Sequence, residues 1–447
     1  MKKHNTISKL TAGIAMVLAL GLSAALPASA ALTGSPTKTS TAAITKQFQM
    51  PKGTILPAGI KFEFSIKSKS EDGSAPSAAM QAGDTKVSDT EGKSTITFAG
   101  TETGTTDAKD TTSYYKESAE LFRNVKWTHP GVYEYEVTEI ADTYAVNATP
   151  PPTEAMTYSK AVYTMFVYVI EKDGKYVIDY ISAWKTIDDN GDEITDQVKV
   201  DPTPKDDRTD GKYSEMVFVN SYVKTNGPID PPVDPPTPED ATLSVSKEVA
   251  GTYGDSTIYF PFSMTVTAPD LVKNPPAYKA AVVERDPADA CKCIIVTSPS
   301  NYAGAIDADG YISFTSGAAP PSFNLKHGQF LAFINTPVGT IYEVKETGTA
   351  LYTAKAKVTT NGVQGAQEEA IVGQDLMLPK ASNTVYTDKL YVGEAKNSAD
   401  FLNDRGTTTP TGISVDNLPF IVLIGLAAAG LAGFVVLKSR RNKQHDA

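Results

Sequence analysis

Through most of its interior the chain alternates apolar and polar residues with a period of two, the pattern of half-buried β-strands. Phe62, Phe64 and Ile66 alternate with Lys61, Glu63 and Ser65, and Tyr133, Tyr135 and Val137 with Glu134, Glu136 and Thr138. The run Ala161–Ile170 is apolar enough for a central strand. Asp173-Gly174, Asn190-Gly191 and Asp309-Gly310 fall between strand-like runs, where such dipeptides form tight hairpins. Ser68–Thr95 and Thr101–Ser113, rich in Ser, Thr and Gly, read as long surface loops, and Tyr114–Arg123 carries one weak helix signal. Many short strands with frequent turn residues predict an all-β protein of two tandem Ig-like β-sandwich domains.

The alternation breaks at both ends. Residues 1–30 read as a signal peptide: Lys2, Lys3, His4 and Lys9 are basic, Leu10–Leu22 is apolar, and Ala28-Ser29-Ala30 is a small-residue cleavage site. The mature chain is expected to start near Ala31. Leu418–Leu437 is a second apolar run without a charged residue, long enough for a transmembrane helix, and the basic tail 438–447 after it is expected to stay in the cytoplasm. The body between these segments therefore faces outward.

Composition narrows the class. A formal charge of −11 leaves no basic stripe to track phosphates and argues against nucleic acid. Two cysteines, Cys291 and Cys293, exclude a disulfide framework and are too few for a metal site; they read as free or incidental thiols. The Asp188–Asp192 run lacks the spacing of a calcium loop and reads as a turn, and the four histidines are scattered. No phosphate-binding glycine loop is present, and no cofactor is expected. The Pro-rich stretch 226–240 reads as a semi-rigid spacer between a first domain, 31–225, and a second, 241–404. A polar linker, 405–417, precedes the span.

The two domains repeat one another in order. Each opens on a strand with a lysine, Ala42-Ala43-Ile44-Thr45-Lys46 and Thr242-Leu243-Ser244-Val245-Ser246-Lys247. Each later has a Pro and a Gly followed by a strand ending in glutamate, Pro130 to Glu139 and Pro337 to Glu346. Each closes with an asparagine after an aromatic, Phe218-Val219-Asn220 and Phe401-Leu402-Asn403. Strand parity puts Lys46 on the face of Ile44, Lys247 on that of Val245, Glu139 on that of Val137 and Glu346 on that of Val344, with Asn220 and Asn403 following Phe218 and Phe401.

A Lys, a Glu and an Asn thus point into each core, where unpaired charges cost several kcal/mol and must pair, neutralise or react. Burial lowers an amine pKa and raises a carboxyl pKa, leaving a nucleophilic amine beside a carboxylic acid. Such an acid can polarise the Asn carboxamide and shuttle protons while ammonia leaves, giving a Lys–Asn amide in a single self-modification without turnover. From facing alone, a buried Lys–Glu ion pair with Asn as its hydrogen-bonding neighbour is the competing reading.

The order V/I-x-Lys, then P-G-V-Y-x-Y-x-V-T-Glu, then V-F-x-Asn-S resembles the streptococcal-type isopeptide-linked major pilins, sortase-assembled subunits of Gram-positive pili. The second domain's T-L-S-V-S-Lys, P-V-G-x-x-Y-x-V-x-Glu and F-x-Asn resemble that family's second domain, although Asn403-Asp404 departs from the pattern. The resemblance implies two bonds, Lys46–Asn220 with Glu139 and Lys247–Asn403 with Glu346 as proton shuttles. It also implies a sorting signal. No L-P-x-T-G is present, but Thr409-Pro410-Thr411-Gly412 before the span is similar to the V-P-T-G signals of pilus-type (class C) sortases, with Thr409 replacing the usual apolar residue. Cleavage would fall between Thr411 and Gly412. Lys212, eight residues before Asn220, is the expected polymerisation lysine and Lys205 the runner-up; a Y-P-K type pilin motif is absent.

The implied function is a covalently polymerised shaft subunit on the cell wall and cell surface. Its partners would be the sortase, identical subunits, minor pilins, peptidoglycan and host surface ligands. A single-copy wall-anchored adhesin built from the same domains is the rival.

Overall fold

The computed structural model describes residues 39–78, 80, 93–147, 153–225, 234–380, 389–406 and 427. Among these, no helix is long and apolar enough to cross a membrane. The expected signal peptide, the 409–412 motif and the 418–437 span, apart from Ala427, lie outside the described residues.

The first domain is built from β1 (Thr45–Pro51), β2 (Lys61–Glu71), β3 (Lys93–Thr97), β4 (Thr105–Thr106), β5 (Thr111–Glu117), β6 (Gly131–Ile140), β7 (Thr153–Thr157), β8 (Val162–Lys172), β9 (Lys175–Ile187), β10 (Glu193–Val200) and β11 (Val217–Thr225). They form two sheets, ordered β4-β5-β1-β11-β7 and β10-β9-β8-β6-β2-β3. The alternation read from sequence is what joins them. Phe48 and Phe218 point inward from the first sheet, and Phe62, Phe64, Tyr135 and Tyr163 from the second. Phe48 meets Phe62 edge-on at 5.2 Å and Phe64 meets Phe218 at 5.0 Å. Offset and edge contacts of this kind add to plain burial.

Several expectations are met here and others are corrected. The apolar run Ala161–Ile170 becomes β8, flanked by β6 and β9, and Asp173-Gly174 closes the β8–β9 hairpin with both residues at positive φ. The weak helix signal at Tyr114–Arg123 is overridden. Tyr114 to Glu117 finish β5, paired with β1 from Phe48 to Thr45, because a sheet ladder outweighs a marginal local propensity. The supposed loop from Ser68 begins only at Asp72, four residues later, since β2 runs to Glu71 against Tyr133 of β6. The Thr101–Ser113 segment likewise holds β4 and the start of β5.

The second domain comprises β12 (Ser244–Ala250), β13 (Phe260–Thr267), β14 (Tyr278–Asp286), β15 (Asp289–Ile295), β16 (Ile312–Phe314), β17 (Ser322–Leu325), β18 (Gln329–Ile334), β19 (Ile341–Glu346), β20 (Thr353–Thr360), β21 (Val363–Gln364), β22 (Glu368–Glu369), β23 (Leu376–Leu378), β24 (Leu390–Tyr391) and β25 (Ser398–Asp404). Its larger sheet runs β15-β14-β18-β12-β25-β20-β21, and its smaller one β17-β13-β19-β23. Val245 and Phe401 of the larger, with Leu243 just before β12, share one core with Phe260, Phe262, Tyr342 and Val344 of the smaller. Asp309-Gly310 does not join two paired strands; it turns the chain into β16, with the Tyr311 N–H donating to Asp307 Oδ1 at 2.9 Å. Cys291 is exposed and Cys293 buried, both free.

In each domain the first and last strands lie side by side and parallel, β1 with β11 and β12 with β25. The two domains also touch directly. The Val338 N–H donates to the Lys224 carbonyl at 2.9 Å, and Glu394 accepts from the Lys224 amine at 2.5 Å and from the Ile55 N–H at 2.7 Å.

Two buried lysine, glutamate and asparagine sites

Parallel pairing of first and last strands sets both sites by one rule. Lys46 is opposite Phe218, so Asn220 lies two residues further along the neighbouring strand, on the same face. Lys247 is opposite Phe401, and Asn403 again lies two residues on. A diagonal of this kind is within reach of a long side chain. The glutamates come from the facing sheets in matching register: Glu139 pairs with Phe64, and Glu346 with Phe262.

All six residues predicted from the sequence meet. Lys46 Nζ donates to Glu139 Oε2 at 2.7 Å, and Asn220 Nδ2 donates to Glu139 Oε1 at 2.6 Å. In the second domain Lys247 Nζ lies 2.9 Å from both Glu346 oxygens, and Asn403 Nδ2 donates to Oε1 at 2.5 Å. One carboxylate therefore holds the amine and the carboxamide nitrogen together. The Lys and Glu side chains are 0 % exposed in both sites, so water does not compete.

Aromatic rings close the sites. Lys46 Nζ lies 4.7 Å from the Phe62 ring centre and 5.9 Å from that of Phe64; Lys247 Nζ lies 4.2 Å from Phe260 and 5.7 Å from Phe262. Burial pushes both amines down to about 8, against the attraction of the paired carboxylates. The same burial raises the Glu139 and Glu346 carboxyls above the ordinary range, opposed by the lysines. Both directions favour the neutral amine and neutral acid.

The surroundings of the two asparagines differ. Asn220 Oδ1 accepts from the Ser159 backbone N–H at 2.7 Å. Asn403 Oδ1 is buried and has no hydrogen-bond partner among the described residues. Ser159 is itself fastened: its hydroxyl donates to Asp189 Oδ1 at 2.6 Å, and that same oxygen accepts from the Val219 N–H at 2.8 Å. Asp189 Oδ2 pairs with Lys185 at 2.6 Å. A cleft of about 490 Å³ lined by Thr138, Glu139, Tyr158, Ser159 and Ala161 opens beside this site. Sequence reasoning missed Ser159 and Asp189. Asp189 sits in the run read only as a turn, and Asp188 does make that turn, accepting from the N–H groups of Asn190, Gly191 and Asp192.

Among the described residues no group of His, Cys, Asp and Glu could hold a metal. Lys212 lies on a loop before β11 with its side chain 74 % exposed and its N–H donating to Asp210 at 3.0 Å. Lys205 opens a short 3₁₀ turn, Lys205–Asp207, and its amine sits 4.4 Å over the Tyr213 ring.

Each of the two sandwich domains thus brings a Lys, a Glu and an Asn together in its core between parallel first and last strands. Residues 42–223 match the family described as the Spy0128-like isopeptide containing domain, FctA, and residues 241–375 match a Domain of unknown function (DUF7601). The chain is 25% identical to a pilin of Streptococcus pyogenes serotype M1 over 319 residues, covering 71% of this chain and 70% of that protein. Among solved structures it is similar to the major pilin of Streptococcus pyogenes, with 18% identity, 82% of this chain and 99% of that chain covered, and a TM-score of 0.29. The T3.2 major pilin of the same organism matches with 15% identity, 82% and 98% coverage, and a TM-score of 0.29. Residues 42–223 thus match an isopeptide containing domain, and the chain as a whole is similar to streptococcal pilins.

Proposed function

We propose that this protein is the structural subunit of a covalently polymerised, wall-anchored Gram-positive pilus, with a Lys–Asn isopeptide bond tying first to last strand in each of its two Ig-like domains. The observation that carries this reading is the double one above: in each domain one buried carboxylate holds a lysine amine and an asparagine carboxamide nitrogen on adjacent parallel strands.

The chemistry balances within each site. Transfer of the ammonium proton to the carboxylate leaves a neutral amine and a carboxylic acid. The Nζ lone pair attacks the Asn carboxamide carbon, and the carbonyl pair moves onto Oδ1. The acid gives its proton to Nδ2 while a carboxylate oxygen takes one from Nζ. The C–Nδ2 bond then breaks, ammonia leaves, and the carbonyl reforms as a secondary amide. The Glu ends protonated, and each site reacts once. Replacing an ion pair by an amide removes charges that the core stabilises poorly.

The bonds would close the spans 46–220 and 247–403, and by analogy with disulfides each would add roughly 4–5 kcal/mol. Because first and last strands are adjacent and parallel, a pull on the domain ends would load a covalent tie instead of peeling a ladder. Polymerisation would use the exposed Lys212 amine of one subunit to attack the Thr411 carbonyl of the next, held as a thioester on a class C sortase, after cleavage before Gly412. Wall attachment and minor pilins complete the partner set.

Boiled denaturing gels of wall extracts test the shaft. A regular high-mass ladder that Lys212→Arg abolishes is expected. A single band in the unsubstituted strain contradicts polymerisation and fits the single-copy adhesin, and a ladder that survives Lys212→Arg overturns the lysine assignment.

A further inference from the structure

Resting on the proposed bond chemistry, the difference between the two asparagine carbonyls carries a finer assignment. In the first domain the edge strand β7 stops at Thr157, opposite Ser221. The chain then bends away, so the N–H of Ser159 is not spent on the ladder and reaches Asn220 Oδ1 instead. In the second domain the corresponding neighbour of the asparagine strand is β20, which pairs without interruption past the site, Ala354 opposite Asn403 and Thr353 opposite Asp404. Its backbone groups there belong to the ladder, and Asn403 Oδ1 has no partner among the described residues.

We propose that the Ser159 backbone N–H is a catalytic donor for the first isopeptide bond, polarising the Asn220 carbonyl and stabilising the oxyanion that forms when Lys46 attacks, and that the second site works without such a donor. Three features fit the role. The donor lies at hydrogen-bond distance from the oxygen on which charge develops, at a residue 5 % exposed. Glu139 occupies the opposite, leaving-group nitrogen, so acid and oxyanion donor act on different atoms of one carboxamide. Asp189, joined both to the Ser159 hydroxyl and to the Val219 N–H one residue before Asn220, locks donor and acceptor to the same strand, so no reorganisation is needed at the moment of reaction. Removing one preorganised oxyanion donor typically slows acyl transfer by about 10²–10³-fold.

The test removes the N–H alone. The full chain is made by cell-free translation with serine or its α-hydroxy acid analogue at position 159, which puts an ester oxygen where the N–H was. Timed samples are quenched in acid, and the two cross-linked peptides are quantified by mass after digestion, counting only chains whose first domain has become protease-resistant. The first bond is expected to form roughly 10²-fold more slowly in the ester chain, with the second bond unchanged as an internal clock. An unchanged rate for the first bond in folded ester chains overturns the assignment and leaves the bond chemistry standing. Absence of both cross-links from the serine chain would instead overturn the proposed function on which the assignment rests.

Discussion

The two domains place the same three residue types by the same register and then treat the asparagine oxygen differently. Lysine opposite an aromatic, asparagine two residues on, glutamate from the facing sheet opposite a second aromatic: these relations are identical at Lys46 and at Lys247. What flanks the asparagine strand is not. A short edge strand leaves a free N–H for Asn220, whereas a full-length neighbour withholds one from Asn403. The comparison separates what the proposed bond chemistry requires, an amine, an acid and a carboxamide in a dry core, from what one domain adds to it.

The sharpest way to break the comparison is to remove one acid at a time. Glu139→Ala is expected to abolish the 46–220 bond and leave 247–403 intact, with Glu346→Ala doing the reverse; in intact-mass measurements each variant retains one ammonia that the parent chain has lost. A variant that loses both bonds would mean the sites are not independent. Next in size, Asn220→Ala and Asn403→Ala are each expected to cost their own domain roughly 4–5 kcal/mol in guanidinium unfolding.

A smaller, shared effect concerns pH. The reactive pair carries one proton between amine and carboxyl. As pH falls through the raised carboxyl pKa, a second proton traps the ammonium beside a neutral acid and the rate drops about tenfold per unit. As pH rises past about 8, where the buried amines release theirs, the pair loses the proton needed by departing ammonia and the rate drops again. Because Ser159 contributes an N–H that does not titrate, removing it should lower the first bell without moving its two limbs. Smallest of all, Glu394→Ala removes the acceptor of Lys224 and Ile55 between the domains and should cost about 2 kcal/mol. The expected readout is a single calorimetric transition splitting into two.

The meeting of a lysine, a glutamate and an asparagine in each core was legible in the sequence for a definite reason. Strand alternation has a period of exactly two residues, so the parity of Lys46 with Ile44 or of Glu346 with Val344 already states which face each occupies, and the repeated order supplies the partners. Ser159 and Asp189 were not legible because their roles depend on where β7 ends and on how the turn at Asp188–Asp192 approaches β11, contacts between segments distant in sequence. The Tyr114–Arg123 signal failed in the same way: its local preference was real but weak, and pairing with β1, far away in the chain, decided it. Loop lengths around β2 were misjudged because Ser and Thr serve equally in turns and on the exposed face of a strand.

The central claim is that Lys46 and Lys247 are joined to Asn220 and Asn403. Intact-mass analysis of the purified mature chain, with mapping of its tryptic peptides, tests it most directly. The account predicts a mass lower than the sequence by two molecules of ammonia and two branched peptides carrying these residue pairs. A chain of full sequence mass, whose denatured form exposes both lysines to amine-modifying reagents, would contradict it.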